Sequence, residues 1–348
     1  MKHTIDDLRQ MQSLPLSAKI LMTKNRIRDW YEYFDGQVYV SFSGGKDSTV
    51  LLHIARELYP DIEAVFVNTG LEYPEIRQFV KTFDNVTILR PKMRFDEVIK
   101  KYGYPIISKD IAMTIHYAKQ NNAEWAWKRL NGINGKTNES SEYREGRYGK
   151  YKPLTQVDFN CSNWCCLVMK EKPMSVIEKS KKPITGILAG ESERRTDAWL
   201  KTGCNAFDSK KPMSKPMSFW TEQDVLQYIK ENNIPIASVY GDVVYKEDSD
   251  QMRIEDYGID GCGTEELCTT GCDRTGCIFC AFGAHLDERG GGKSRFERLK
   301  ETHPRQYEYC IGGGEYVNGV WQPSKEGLGM GHVFDELNKI YGDGFIKY

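Results

Sequence analysis

Residues 38–58 read Val-Tyr-Val-Ser-Phe-Ser-Gly-Gly-Lys-Asp-Ser-Thr-Val-Leu-Leu-His-Ile-Ala-Arg-Glu-Leu, and their order predicts a strand, a glycine turn and a helix in immediate succession. Gly44 and Gly45 lack Cβ atoms, so the backbone between them can bend tightly and approach an anion. The helix that follows points free N–H groups and the positive end of its dipole at the same place. The hydroxyls of Ser43 and Ser48 and the Lys46 ammonium add donors, and Asp47 places a carboxylate beside them. This pattern predicts a phosphate site at Ser43, Gly44, Gly45, Lys46, Asp47 and Ser48. A plain strand–turn–helix with a serine cap shares part of the pattern but has no need of the lysine.

The loop is neither of the two commonest phosphate motifs. The first glycine of a Gly-x-x-x-x-Gly-Lys-Ser/Thr loop would fall at Val40, and Asp47 follows the lysine; Gly-x-Gly-x-x-Gly is absent as well. The string resembles the PP-loop of the ATP pyrophosphatase superfamily. That resemblance implies cleavage of ATP between the α and β phosphates, with the loop gripping the leaving pyrophosphate.

Composition sets outer limits. A chain of 348 residues can build two domains or one large domain with an appendage. A net charge of −1 excludes a global field for nucleic acid, so any such surface is a local patch. With 40% hydrophobic and 28% charged residues the chain reads as soluble and globular, and no run reaches transmembrane length. Met-Lys-His-Thr-Ile-Asp-Asp-Leu at the start carries no apolar signal core, so the expectation is a cytoplasmic protein without a membrane partner. Ten cysteines then point to metal or redox chemistry more than to disulfides.

The order of elements predicts an α/β fold with a doubly wound parallel sheet. An amphipathic helix is expected over Leu16–Phe34, with Ile20, Leu21, Ile27, Trp30 and Phe34 inward. After the first strand, Val50, Leu51, Ile54, Ala55 and Leu58 mark the apolar face of the loop helix. Ala64–Asn68, Val86–Leu89 and Ile184–Leu188 are apolar runs without alternation, as strands covered on both faces would be. Ligands of such sheets bind beyond the carboxyl ends of the strands. The loop at Ser43, the turn Asn68-Thr69-Gly70 and the segment Gly190-Glu191-Ser192 all fall at such ends. The expected layout is a helical segment over 1–35, an α/β nucleotide-binding domain over 36–240 and a cysteine-rich C-terminal region over 241–348.

Within the α/β domain, the stretch of about 120–160 reads as an insertion or a lid, rich in Asn, Gly, Lys and Arg around Trp125 and Trp127. Arg144, Arg147, Lys150 and Lys152 alternate there with Tyr143, Tyr148 and Tyr151. That mixture suits either stacking and phosphate contact with nucleic acid, or a solvated loop with tyrosines packed beneath it.

Cysteines form the second strong signal. Cys161, Cys165 and Cys166 lie together, while Cys262, Cys268, Cys272, Cys277 and Cys280 crowd a later stretch. Cys277-Ile278-Phe279-Cys280 is a turn that can aim two thiolates at one metal, and four thiolates suit zinc or an iron–sulfur cluster. Cys272, Cys277 and Cys280, with Cys166 or Cys268, make one ligand set; a zinc site of Cys268, Cys272, Cys277 and Cys280 is the alternative.

Cys165-Cys166-Leu167-Val168-Met169-Lys170-Glu171-Lys172-Pro173 resembles the Cys-Cys-x-x-x-Lys-x-x-Pro segment of the adenylyl sulfate and phosphoadenylyl sulfate (PAPS) reductase family. In cluster-containing members that pair joins a distant Cys-x-x-Cys around a 4Fe–4S cluster, which here implies Cys165, Cys166, Cys277 and Cys280. Val67-Asn68-Thr69-Gly70-Leu71-Glu72-Tyr73-Pro74-Glu75 is similar to the family segment beside the nucleotide. Gly190-Glu191-Ser192-Glu193-Arg194-Arg195 resembles its Ser-x-x-Arg anion-binding stretch. Lys215 to Val225 resembles its Pro-x-x-x-Trp-Thr-x-x-Asp-Val element, in which Thr221 with Asp224 forms a helix cap and Trp220 joins the core.

Two departures redirect the functional expectation. Reductases of this family use a Glu-Cys-Gly-x-His motif near the C-terminus, whereas no cysteine follows Cys310 here and Tyr309-Cys310-Ile311-Gly312-Gly313-Gly314 does not match. Their phosphate loop is usually degenerate, but Gly44-Gly45-Lys46-Asp47-Ser48 is intact. The resemblance therefore implies an ATP pyrophosphatase that adenylates an acceptor for sulfur transfer, as in DNA phosphorothioation or tRNA thiolation. PAPS or adenylyl sulfate reduction is one alternative, and a non-catalytic nucleotide- and zinc-binding subunit another. The implied cofactors are ATP, Mg²⁺ held with help from Asp47, and a 4Fe–4S cluster, or zinc in its place. Lys46, Asp47, Arg194 and Arg195 would be catalytic; Asn68, Thr69, Gly70, Glu191 and Ser192 would line the nucleotide site. Implied partners are a nucleic-acid acceptor, a cysteine desulfurase as sulfur donor and a second copy of the chain. A thiol outside the metal site, Cys165, Cys161 or Cys268, would carry persulfide sulfur.

Remaining features read as structural. His53 lies beside the apolar face of the loop helix, and Cys204 and Cys262 have no partner by spacing. Gly290-Gly291-Gly292-Lys293-Ser294-Arg295 reads as a flexible connection more than a phosphate clasp. His285 follows the Cys-x-x-Cys turn closely enough to support a metal ligand.

Overall fold

The computed structural model describes residues 3–135, 137–246, 266–290 and 292–348. Cys262 and Gly291 lie outside them. The chain divides into two compact units: Met1–Asn68, Glu72–Leu89 and Met174–Thr275 form the first, and Thr69–Leu71, Arg90–Pro173 and Gly276–Tyr348 the second.

Among the described residues, a six-stranded, mostly parallel sheet organises the first unit. From edge to edge it runs Val86–Leu89, Ala64–Val67, Val38–Ser41, Lys182–Thr185, Met213–Ser214 and Asn205–Ala206; only the last pair is antiparallel. Val40 sits in register with both Ala64 and Ile184. The chain steps outward from Val38–Ser41 on one side, then returns to lay Lys182–Thr185 on its other side. This reversal of strand order makes the carboxyl end of Val38–Ser41 a topological switch point.

The centre of the sheet is dry: Val38, Tyr39, Val40, Ala64, Val65 and Ile184 are buried. Helix Lys46–Leu58 covers it with Val50, Leu51, Leu52, Ile54 and Ala55, while Leu58 is only half-buried. Two expectations need correction. Val86–Leu89 is the edge strand of the described sheet and is only partly covered, with Ile88 exposed. The run expected as a strand over Ile184–Leu188 is a strand at Lys182–Thr185, and its second half turns away at Gly186 into a short 3₁₀ turn, Ala189–Glu191.

Helix Leu16–Tyr33 forms where expected, but its inward face is Leu16, Lys19, Thr23, Ile27 and Trp30, and Leu21 is exposed. Two polar side chains sit on that face because each has a partner. Lys19 Nζ donates to both Asp224 oxygens at 2.8 and 2.7 Å and to the Gln12 carbonyl at 2.6 Å. Thr23 Oγ1 accepts from Trp220 Nε1 at 2.9 Å. Asp224 is also the third residue of the capping box that Thr221 opens on helix Glu222–Glu231. One carboxylate thus starts a helix and neutralises a buried lysine.

The second unit is mainly helical, with Phe95–Tyr102, Lys109–Asn121, Arg295–Thr302, Pro304–Ile311 and Met330–Tyr341 its longer described helices. Its core includes Tyr104, Phe159, Phe296, Cys310 and Phe334. A hairpin pairs Glu315–Val317 with Val320–Gln322. The stretch over 120–160 is ordered into helices, Glu124–Leu130, Glu142–Tyr148 and the 3₁₀ segment Gly149–Thr155. Tyr148 and Tyr151 are buried and Tyr143 is exposed, with Arg147 NH1 donating to its hydroxyl at 2.9 Å. Packing beneath the surface accounts for two of the three tyrosines.

The glycine run at 290–295 resolves at its end into a helix start. Ser294 caps Arg295–Thr302 in a reciprocal box with Glu297: its N–H donates to the Glu297 carboxylate, while its hydroxyl accepts from the Glu297 N–H and donates to the Lys347 carbonyl.

Candidate anion site and cysteine cluster

Gly44 takes φ +73°, and a Cβ there would stand 2.8 Å from Cγ2 of both Ile76 and Val80. Only glycine lets the chain turn here and pack this closely. Gly45 is the N-cap of Lys46–Leu58, and its carbonyl accepts from Ser48 Oγ at 2.9 Å and Thr49 Oγ1 at 3.0 Å. The Ser43 and Ser48 hydroxyls meet at 3.0 Å, and Ser48 Oγ accepts from the Ser43 N–H at 3.2 Å. The two serines therefore brace the turn as well as offering donors.

A cavity of about 290 Å³ opens against this turn, lined by the loop, by Thr185 and Gly186 at the neighbouring strand end, and by Glu191, Arg195, Tyr240, Arg274 and Thr275. A second of about 350 Å³ shares Lys46, Asp47, Glu191 and Arg274 and adds Gln12, Leu188, Gly190, Trp220, Thr221 and Glu222. Lys46 is nearly buried; its Nζ donates to the Asp273 carbonyl at 2.7 Å and pairs with Glu222 at 2.9 Å. Its backbone N–H donates to the Tyr240 hydroxyl at 3.3 Å, which in turn meets Thr275 Oγ1 at 2.5 Å. The Glu191 carboxylate pairs with Arg195 through one oxygen and with Arg274 through the other.

Electrostatics follow from the enclosure. Burial pushes the Asp47 carboxyl above the ordinary carboxylate range, against the pull of Lys46. Burial also lowers the Arg195 guanidinium, and Arg274 beside it adds like-charge repulsion. Two arginines and a lysine line these cavities beside the Asp47, Glu191 and Glu222 carboxylates, a donor set able to pair with a polyanion.

Of the residues expected around the nucleotide, the loop, Glu191 and Arg195 gather here. Arg194 is exposed on helix Glu193–Thr202 and lines neither cavity; Ser192 is the exposed N-cap of that helix. Asn68 closes the second strand, with its N–H on the Leu89 carbonyl at 2.9 Å. Thr69 and Gly70 belong to the second unit, where Thr69 Oγ1 accepts from the Leu71 N–H at 3.1 Å. Sequence reading missed Gln12, Glu222, Tyr240, Arg274 and Thr275. Arg274 and Thr275 lie between Cys272 and Cys277, a stretch whose spacing signals metal ligands and carries no mark of a cavity lining.

In the second unit, Ile106–Ile107 pairs in parallel with Ala281–Phe282, and Tyr104 bridges to Cys161. The segment 104–107 thereby brings the Cys165-Cys166 stretch and the Cys277–Cys280 turn to one locality. Ile107 adopts φ +61° while buried, a strained conformation for a β-branched residue that costs about 1–3 kcal/mol. The four thiols act on one another. Hydrogen bonding to Cys166, then burial and the nearby Cys280 and Cys277 sulfurs, drive the Cys165 thiol up; the same bond from Cys165, with Lys109 and Lys170, pulls Cys166 down. Burial and Cys277 raise Cys280 to about 11. Arg295 braces the turn, donating to the Cys280 and Phe282 carbonyls at 3.0 Å each while clasping Asp287 at 2.6 and 2.8 Å.

Among the described residues no group of three or more His, Cys, Asp or Glu side chains is gathered as a finished metal cage. The donor chemistry nonetheless fits a thiophilic centre: four cysteines of one unit, with lysines beside them to offset thiolate charge. Cys268 and Cys272 belong to the first unit. Burial raises the Cys161 thiol to about 12. The His285 ring stacks on Phe345 at 5.1 Å, and His53 Nδ1 meets the Tyr228 hydroxyl at 2.9 Å.

A mostly parallel sheet with a glycine turn at its switch point makes the first unit an α/β fold, and the second unit carries the clustered cysteines. The phosphoadenosine phosphosulfate reductase domain model matches residues 37–282, more than half of the chain, and the protein belongs to that family. Adenosine 5'-phosphosulfate reductase of Staphylococcus haemolyticus is 24% identical over 62% of this chain and 70% of its own. An uncharacterized protein of Methanocaldococcus jannaschii is 37% identical over 23% of this chain, and the match spans only 21% of that protein's length. A PAPS reductase from Candida auris, solved as its phosphate complex, aligns at 16% identity over 62% of this chain and 82% of its own, with a TM-score of 0.34. Among the described residues no helix is long and apolar enough to cross a membrane.

Proposed function

We propose that the protein is an ATP pyrophosphatase of the PAPS reductase family that adenylates an acceptor for sulfur transfer, with a nucleic acid as acceptor, in the cytoplasm. The observation that carries this reading is the intact Gly44-Gly45-Lys46-Asp47-Ser48 turn at a helix N-terminus, facing a cavity that Arg195 and Arg274 also line. The β and γ phosphates of ATP would lie on the turn, where the start of helix Lys46–Leu58 and the Lys46 ammonium neutralise them. Asp47, which lines the cavity, would hold Mg²⁺, and the metal when bound would supply further charge neutralisation. An acceptor oxygen attacks the α-phosphorus, the α–β bridging P–O bond breaks, and its electron pair leaves with pyrophosphate. Arg195 and Arg274 stabilise the charge that develops. A sulfur nucleophile then displaces AMP from the adenylated acceptor. Cys165, Cys166, Cys277 and Cys280 would hold a 4Fe–4S cluster, which when bound supplies electron-transfer chemistry.

Sulfonucleotide reduction is the second reading, favoured by the names of the curated relatives. Against it, Cys310 is fully buried and its thiol is pushed up by burial, the opposite of an attacking nucleophile. Product analysis separates the two. With α-labelled ATP, Mg²⁺ and nucleic acid, the first reading expects AMP or adenylated acceptor together with pyrophosphate. Sulfite from adenylyl sulfate and a thiol reductant, with no ATP cleavage, would replace it with the second.

A further inference from the structure

Around the loop cavity, three cations face three carboxylates: Lys46, Arg195 and Arg274 against Asp47, Glu191 and Glu222. The pairing is specific. Glu222 holds the Lys46 ammonium at 2.9 Å, and Glu191 spends one oxygen on each arginine. Glu191 also accepts from the Leu188 N–H at 3.2 Å, which fixes its carboxylate at the head of the turn that enters helix Glu193–Thr202. Among the described residues, each cation lining the cavity is thus engaged by a protein carboxylate.

We infer that Glu191 is a built-in competitor: its carboxylate occupies the Arg195–Arg274 pair, and a phosphate chain must displace it to bind. The inference rests on the loop as a polyphosphate site and adds a specificity-determining residue to it. A ligand that reaches only the loop amides gains nothing from the arginines while Glu191 holds them. A chain of linked phosphates seated on the loop would extend into the cavity that both arginines line and would supply the charge that releases the carboxylate. The favoured ligand class is therefore a pyrophosphate or triphosphate chain. Glu222 plays the matching part at Lys46.

Calorimetric titration of the full chain with inorganic pyrophosphate and Mg²⁺ tests this. Glu191→Gln keeps an acceptor for the Leu188 N–H but removes the charge, and it is expected to bind pyrophosphate about fivefold or more tightly than wild type. Arg274→Gln, at an exposed position, is expected to weaken binding and to shrink the gain from Glu191→Gln when the two are combined. Unchanged or weaker binding by Glu191→Gln, or an equal gain with and without Arg274, overturns the competitor role, provided Lys46→Ala still abolishes binding. Wild-type pyrophosphate binding by Lys46→Ala would overturn the loop assignment, and the competitor role with it.

Discussion

Lys19 and Asp224 form a buried ion pair, 2.7 Å between Nζ and Oδ2, that ties helix Leu16–Tyr33 to the cap of helix Glu222–Glu231. Because Lys19 is 2% exposed, removing it leaves a carboxylate with little water to solvate it. Lys19→Met is expected to cost about 3 kcal/mol or more of folding stability in urea denaturation. A loss below about 1 kcal/mol would mean that the pair behaves as a surface bridge.

Gly44 is required twice, by its φ of +73° and by the 2.8 Å approach of Ile76 and Val80 to an added Cβ. Gly44→Ala should lose about 1–3 kcal/mol of stability, and pyrophosphate binding should weaken with it because the turn is displaced. Unaltered melting and unaltered binding in that variant would contradict both requirements.

Glu63 adds a pH dependence. It accepts from Lys181 at 2.6 Å and from Thr87 at 2.5 Å, joining the starts of three strands. Burial works to raise its carboxyl, but these two bonds prevail and hold it below the ordinary range. A depressed folded value means stability that is present above the unfolded pKa, about 4.3, and lost as pH falls through the folded value. Between pH 5 and pH 3 the wild type should therefore lose more stability than Glu63→Gln. Parallel acid-denaturation curves would contradict this.

The cysteine assignment is tested by metal content. Anaerobically prepared protein is expected to carry iron and sulfide, lost in Cys277→Ser or Cys166→Ser and kept in Cys268→Ser. Zinc in place of iron, lost on Cys268→Ser and kept on Cys166→Ser, would point to the ligand set Cys268, Cys272, Cys277 and Cys280 instead.

How far the sequence was legible follows from what each residue does. Val38 to Leu58 could be read because glycines, a lysine and a helical apolar stripe each have one physical use in that order. The parallel sheet followed from apolar runs alternating with helices. An edge strand such as Val86–Leu89 is as apolar as a central one, so its exposure depended on pairing that no local pattern encodes. Lys19 and Thr23 were skipped because a polar residue at an inward position makes sense only once its partner, more than 190 residues away, is known. Arg274 and Glu222 were missed for the same reason: long-range folding, not spacing, brings them to Lys46 and Glu191. The strain at Ile107 had no sequence signal, since isoleucine is an unfavourable choice for that backbone.

Pyrophosphate release from ATP by wild type and by Lys46→Ala, with Mg²⁺ and the acceptor held constant, bears most directly on the central claim that the loop grips the β and γ phosphates. The variant is expected to lose activity by about a hundredfold or more while its melting temperature and metal content stay near wild type. Release at the wild-type rate by a folded Lys46→Ala protein would contradict it.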